Sequence, residues 1–243
     1  MSPFFQNWQN IPASRLTCIE PDYKTLIDPK LLRRMSRIIK MGVAAGTACL
    51  HGAGIDIPDA IITGTAYGCL EDTNTFLSKM VQQNEEALAP TAFIQSTHNT
   101  ISAQIALLLQ CHNYNNTFVN GGASFENALL DAMMLLYEGE ACNVLVGGID
   151  EITVNGHVIL HRMGLYRRGL TSNLELLQSW AKEQWLVKAL HCSCYVISHQ
   201  AATGLKLMGF PAFINRATLL KSSNRSVISY PPKMFALMIL ACS

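Results

Sequence analysis

Between Asn116 and Gly148 the chain spells a strand, a tight turn, a helix and a second strand, and no other stretch restricts the fold as strongly. Asn116–Asn120 (NTFVN) is a short β-prone run. Gly121 and Gly122 permit a sharp turn. Ser124 to Tyr137 has helix composition, with Ser124 as the expected N-cap and Gly139 as the stop. Cys142–Gly148 (CNVLVGG) then reads as another strand. Two strands joined through a helix in so short a span should run parallel with a right-handed crossover. The expectation is an α/β fold whose functional loop leaves the first strand and enters the helix.

The upstream sequence continues the pattern. Asp28-Pro29, followed by Leu31, Leu32, Met35, Ile38, Ile39, Val43 and Ala44, predicts one capped amphipathic helix ended by Gly52 and Gly54. A strand is expected over 59–66 and a helix over Glu71–Met80. Thr97–Cys111 predicts a helix that is apolar on much of its circumference and therefore buried. Met133–Leu136 reads as core. Hydrophobic residues make up 49% of the chain and charged residues 14%, which excludes a disordered chain or a coiled coil. The net charge of +1 gives no reason to expect nucleic acid or an anionic membrane as partner. The eight cysteines lack paired CxxC spacing and read as reduced core residues. The N-terminus lacks signal-peptide character, and the apolar run Met234–Cys242 is about half a membrane span. No membrane span is expected, and the cytoplasm is the expected location.

The loop Asn120-Gly121-Gly122-Ala123-Ser124 is neither a GxGxxG fingerprint, a P-loop nor a GxSxG elbow. On spacing alone it is a glycine turn with a capping serine, or a ligand loop at a helix N-terminus. His98 faces a ligand channel or is a helix-start histidine satisfied by its neighbours. Asp150-Glu151 orients a ligand or forms a solvated strand end. His157, His161, His191 and His199 make no HExxH or Cys/His set, so no metal site is expected.

Asn116–Ala132 and Glu138–Glu151, together with Arg33–Gly54, Ile62–Gly68 and Thr91–Leu108, resemble the β-ketoacyl-acyl carrier protein synthases of the thiolase-like fold. The resemblance covers roughly residues 25–182. It implies the N-terminal half of a layered α/β fold, with helices packed on a mixed, largely parallel sheet. Such enzymes carry a cysteine at the elbow, take an acyl group on it as a thioester, and use two histidines from the second half of the fold. Gly122 stands at the nucleophile position, and glycine cannot carry an acyl group. Ser124 is the nearest alternative, two residues on; Cys111 and Cys142 fall outside the elbow. Ketosynthase-like chain-length factors share this departure. The resemblance therefore implies a non-catalytic subunit in fatty-acid or polyketide-type chain elongation. Its partners would be an acyl carrier protein and a catalytic ketosynthase, in a homo- or heterodimer formed along the strand Thr117, Phe118, Val119 and Asn120. Asn120–Ala123 and His98 would border the acyl channel, and no cofactor is implied. An active synthase in truncated form and a fragment without function are the alternatives.

The tail differs in composition. All 17 acidic residues lie at or before Glu183, so residues 1–182 carry 12 basic and 16 acidic side chains, and 183–243 a net charge of +5. The tail also lacks the GEGA-like motif the family places after the Gly147-Gly148 strand. One permissible set of codons for Glu183–Cys192, preceded by one added G, translates as Gly-Thr-Met-Ala-Gly-Glu-Gly-Ala-Ala-Leu, which contains that motif. The expectation is a domain over 1–182 and a divergent, frameshifted tail over 183–243; a native basic tail that docks on a partner is the alternative.

Overall fold

The computed structural model describes residues 20–86 and 88–165, together with the backbone of 191–200 and 204–210. At its centre is strand β1, Ala60–Gly64, every residue of which is buried. It is flanked in parallel by β2, Tyr114–Phe118, and by β3, Asn143–Asp150. The antiparallel strands β4, His191–Gln200, and β5, Gly204–Phe210, continue the sheet in the order β2-β1-β3-β4-β5. The sheet is mixed, and β4 and β5 fall in the segment the sequence sets apart as a tail. The strand-helix-strand unit is present, and its two strands are parallel. They are not neighbours, because the more apolar β1 takes the position between them.

Alternation along the buried strands sorts side chains into two layers. Ile61, Leu145 and Ile149 face a core formed with helix α2, Arg37–Ala53, and helix α5, Thr100–Leu109. Ala60, Ile62, Val144 and Val146 face helix α6, Ser124–Glu138, through Ala128, Ala132 and Leu136. Helix α3, Leu70–Gln82, helix α4, Pro90–Ser96, and helix α7, Val154–Arg162, complete this part of the chain.

Several expectations need correction. The helix expected from Asp28 is two helices: α1, Pro29–Leu32, capped by the Asp28 carboxylate on the Lys30 N–H (2.7 Å), and then α2. Between them Ser36 is extended, and the Arg34 carbonyl accepts from the Gln95 side chain. The break lets Met35 and Ile38 both enter the core. Gly54, in the left-handed conformation (φ 70°), ends α2 as expected, whereas Gly52, expected to end it too, lies within the helix. Helix α5 is shorter than expected and buries one face only: Ile101 and Ile105 are in the core, whereas Leu107 is 73% exposed. In the Met133–Leu136 run only Leu136 is buried, because α6 meets the sheet at Ser124, Ala128, Ala132 and Leu136, four residues apart; Met134 lies outside.

Candidate functional site

The expected functional loop stands at the C-terminal edge of the parallel strands. After β2, Val119 and Asn120 are exposed, and Gly121–Ala123 form one 3-10 turn that runs into α6. Gly121 has φ 59° with open space where a Cβ would project, so glycine is required by conformation rather than by crowding. Gly121, Gly122 and Ala123 are all exposed at the start of the helix. The first turn of α6 also holds Glu126, an acid where the helix dipole favours one; its Oε2 is buried without a hydrogen-bond partner.

The elbow rests on a floor of two glycines. Gly64 of β1 and Gly148 of β3 are register partners. A Cβ on Gly64 would stand 2.5 Å from the Ser124 carbonyl oxygen, and one on Gly148 3.0 Å from the Phe125 ring. At Gly64 only hydrogen lets the helix start press onto the strand end, whereas a side chain at Gly148 would require the Phe125 ring to give way. The signal was present as glycines interrupting two apolar strands, but spacing alone did not tie them to the elbow.

Ser124 opens α6 rather than capping it; the N-cap is Ala123. The Ser124 hydroxyl is 3% exposed at the residue level, accepts from the Asn120 N–H (2.8 Å), and has the carbonyls of Thr65 (2.9 Å) and Gly121 (2.7 Å) within reach of its one proton. A hydroxyl enclosed in this way ties the elbow to the end of β1. Thr65 also donates its N–H to the Phe118 carbonyl (3.0 Å).

Of Asp150 and Glu151, read from sequence as a ligand pair or a solvated strand end, Asp150 is half-buried and Glu151 is buried, and both accept hydrogen bonds from the segment that leads into α3. Asp150 receives the Thr65 hydroxyl (2.9 Å) and the N–H groups of Ala66 (3.0 Å) and Tyr67 (3.1 Å), fixing the turn that leads to α3. Glu151 is 7% exposed and accepts the Glu71 N–H (2.9 Å) in the first turn of α3. Burial, with Asp72 and Glu71 nearby, raises its pKa above the ordinary carboxylate range, although the Glu71 N–H and Arg37 act the other way. Burial followed by the charges of Asp72 and Glu151 pushes the thiol of Cys69, in the same turn, up to about 12. That fully buried cysteine cannot serve as a thiolate nucleophile near neutrality.

His98 lies exposed in the turn between α4 and α5, and its ring packs over Gly68, whose φ of 68° and lack of a side chain leave room for it. His98 and the elbow therefore meet the 65–68 turn from two sides. Thr117 and Phe118 belong to β2, which among the described residues pairs only with β1 and forms one edge of the sheet, while Val119 and Asn120 lie just beyond it. Cys111 and Cys142 sit at the opposite end of the strands: the Cys111 sulfur approaches the Pro58 carbonyl (3.5 Å), and the Cys142 N–H reaches Asp59 (2.8 Å). The histidines expected on 157 and 161 stack on α7, their ring centres 6.0 Å apart; the side chains of 191 and 199 lie outside the described residues. Among the described residues no helix is long and apolar enough to cross a membrane.

Comparison with known proteins adds a family to this geometry. The family model of the beta-ketoacyl synthase N-terminal domain matches residues 5–157. Among solved structures, the ishigamide ketosynthase/chain length factor is similar at 18% identity, with a TM-score of 0.58 over 80% of this chain and 52% of that one. A beta-ketoacyl synthase from Burkholderia phymatum STM815 is similar at 18% identity, with a TM-score of 0.57 over 79% and 45%. A type II polyketide ketosynthase bound to the hexaketide and solved with its acyl-carrier protein gives 16% identity and a TM-score of 0.55 over 64% and 48%. The chain thus spans about half the length of the solved structures it matches. No curated protein matches it in sequence.

Proposed function

Because the chain belongs to the beta-ketoacyl synthase N-terminal domain family, we propose that it acts as a non-catalytic, chain-length-factor-like subunit beside a catalytic ketosynthase in fatty-acid or polyketide-type acyl-chain elongation. The observation that carries this reading is the residue at the tip of the elbow. Acyl transfer of this kind needs a thiolate activated by a helix N-terminus, and Gly122 offers no side chain. The neighbouring hydroxyl does not replace it, since Ser124 is buried and engaged with Asn120, Thr65 and Gly121. An active synthase using Ser124 would have to break those contacts first.

The proposed partners are a catalytic ketosynthase and an acyl carrier protein, in the cytoplasm. Among the described residues β2 pairs on one side only, which supports a pairing along 117–120 with one protomer's strand added to the other's; an edge strand is a ready template for such addition. Solved relatives that are a ketosynthase with a chain length factor, and a ketosynthase with its carrier protein, fit this reading. Residues 1–182 form the domain in it, and 183–243 the divergent tail read as frameshifted.

The decisive experiment incubates the full chain with an isotope-labelled acyl-carrier-protein thioester and searches every peptide by mass spectrometry. The expected result is no adduct at residues 120–124, together with co-elution when a catalytic ketosynthase is co-expressed. A covalent acyl group on any of those residues would overturn the non-catalytic reading.

A further inference from the structure

Thr65 is 4% exposed, and both of its backbone polar groups and its hydroxyl are engaged, each toward a different part of the site. Its N–H donates to the Phe118 carbonyl at the end of β2 (3.0 Å). Its carbonyl stands 2.9 Å from the Ser124 hydroxyl at the start of α6, whose one proton it shares with the Gly121 carbonyl (2.7 Å). Its own hydroxyl donates to Asp150 at the end of β3 (2.9 Å) and accepts the Gly68 N–H in the turn beneath His98 (2.9 Å). Three elements distant in sequence, the ends of β2 and β3 and the start of α6, therefore share one buried residue with the turn that follows it.

We propose that Thr65 is the positioning residue of the elbow: its hydroxyl, clamped by Asp150, orients the carbonyl that receives Ser124, and through Ser124 and Asn120 it fixes where Gly121–Ala123 stand. The physical basis is directional. A buried carbonyl rotates with its own peptide plane, and the Ala66 N–H in that same plane is itself held by Asp150 (3.0 Å). Rotating the plane to relax one bond lengthens the others, and an unpaired buried polar group is costly. The elbow and the 65–68 turn accordingly move as one unit, so a ligand or partner touching the turn is felt at the elbow. This holds whether or not the chain is catalytic.

The test uses the full chain with Gly122→Cys as a reporter, read by peptide mass spectrometry at residue 122 alone. A thiol at a helix start titrates below the roughly 8.5 of free cysteine, so the midpoint of its alkylation rate against pH reports its position. Thr65→Val, which keeps the shape and removes the hydroxyl, is expected to move that midpoint upward by about half a unit or more. It is also expected to speed amide exchange across 119–124 by about threefold or more. Thr65→Ser should restore both. A Thr65→Val chain that only melts earlier, with midpoint and exchange unchanged, or a serine that fails to rescue, overturns the proposal. Should Thr65→Val not fold, Ser124→Ala without the reporter replaces it: faster exchange at the Gly68 amide is expected, and unchanged exchange there refutes the coupling.

Discussion

At the scale of single residues, the informative positions were legible in unequal degree. The reading of Gly122 as the nucleophile position rests on the order of its neighbours and stands as a proposal; the structure adds that the residue is exposed at the start of α6. Glu151 was not legible, because an acid after a glycine pair reads as a solvated strand end until the fold buries it against α3. Its raised pKa means that the folded state holds the proton more tightly than the unfolded one. The stability it contributes is full below the ordinary glutamate range and is lost as pH rises through the folded value. Glu151→Gln, which keeps an acceptor for the Glu71 N–H, should therefore flatten the decline of Tm from acidic to neutral pH; a parallel, undiminished decline would refute this. Cys69 invites a second measurement. Its thiol, pushed up to about 12 and buried, should resist alkylation of the native chain at pH 8, while the exposed Cys142 reacts. Equal labelling of the two would contradict the burial.

At the scale of elements, helix types and the two flanking strands followed from periodicity, capping and glycine stops. What escaped was how each helix divides its faces. Helix α6 is apolar on both sides of a narrow polar strip formed by Asn127, Asp131 and Glu138, so composition could not tell Ala128 and Ala132, both fully buried, from Leu130, which is 57% exposed. Packing decides it: along the contact line the helix start sits close to the strands and carries the small residues Ser124, Ala128 and Ala132, and a large side chain, Leu136, enters only in the last turn. Ala128→Leu should then cost about 1–3 kcal/mol by overpacking, whereas Leu130→Ser should cost less than about 0.5 kcal/mol; chemical denaturation of both variants gives the comparison, and similar losses would refute the orientation of α6. Helix α5 escaped for the same reason, its apolar circumference concealing that Ile101 and Ile105 are buried in the core while Ala106, Leu108 and Leu109 pack at its margin and Leu107 lies exposed.

At the scale of the whole molecule, the α/β class was legible and the strand order was not. A strand-helix-strand stretch specifies parallel direction, but the insertion of β1 between β2 and β3 depends on a segment fifty residues upstream, and no local pattern announces it. Proteolysis tests the domain reading at this scale: a resistant core of about 180 residues is expected of a domain with its own interior, and either digestion to small peptides or protection extending through β4 and β5 would oppose it. For the tail, the nucleotide sequence around codon 182 should open a longer frame with the GEGA motif when one base is restored, and failure to do so would retire the frameshift reading.

The glycine floor beneath α6 carries a lesson for anyone converting this scaffold into a catalyst. Gly64 and Gly148 set the height at which a side chain at 122 would emerge above the strand ends. A reactive elbow transplanted in place of residues 120–124 would inherit that height from two residues outside the transplanted segment. Exchanging Gly122 alone changes the chemistry available; keeping the glycine pair is what would let the new group stand where a substrate can reach it.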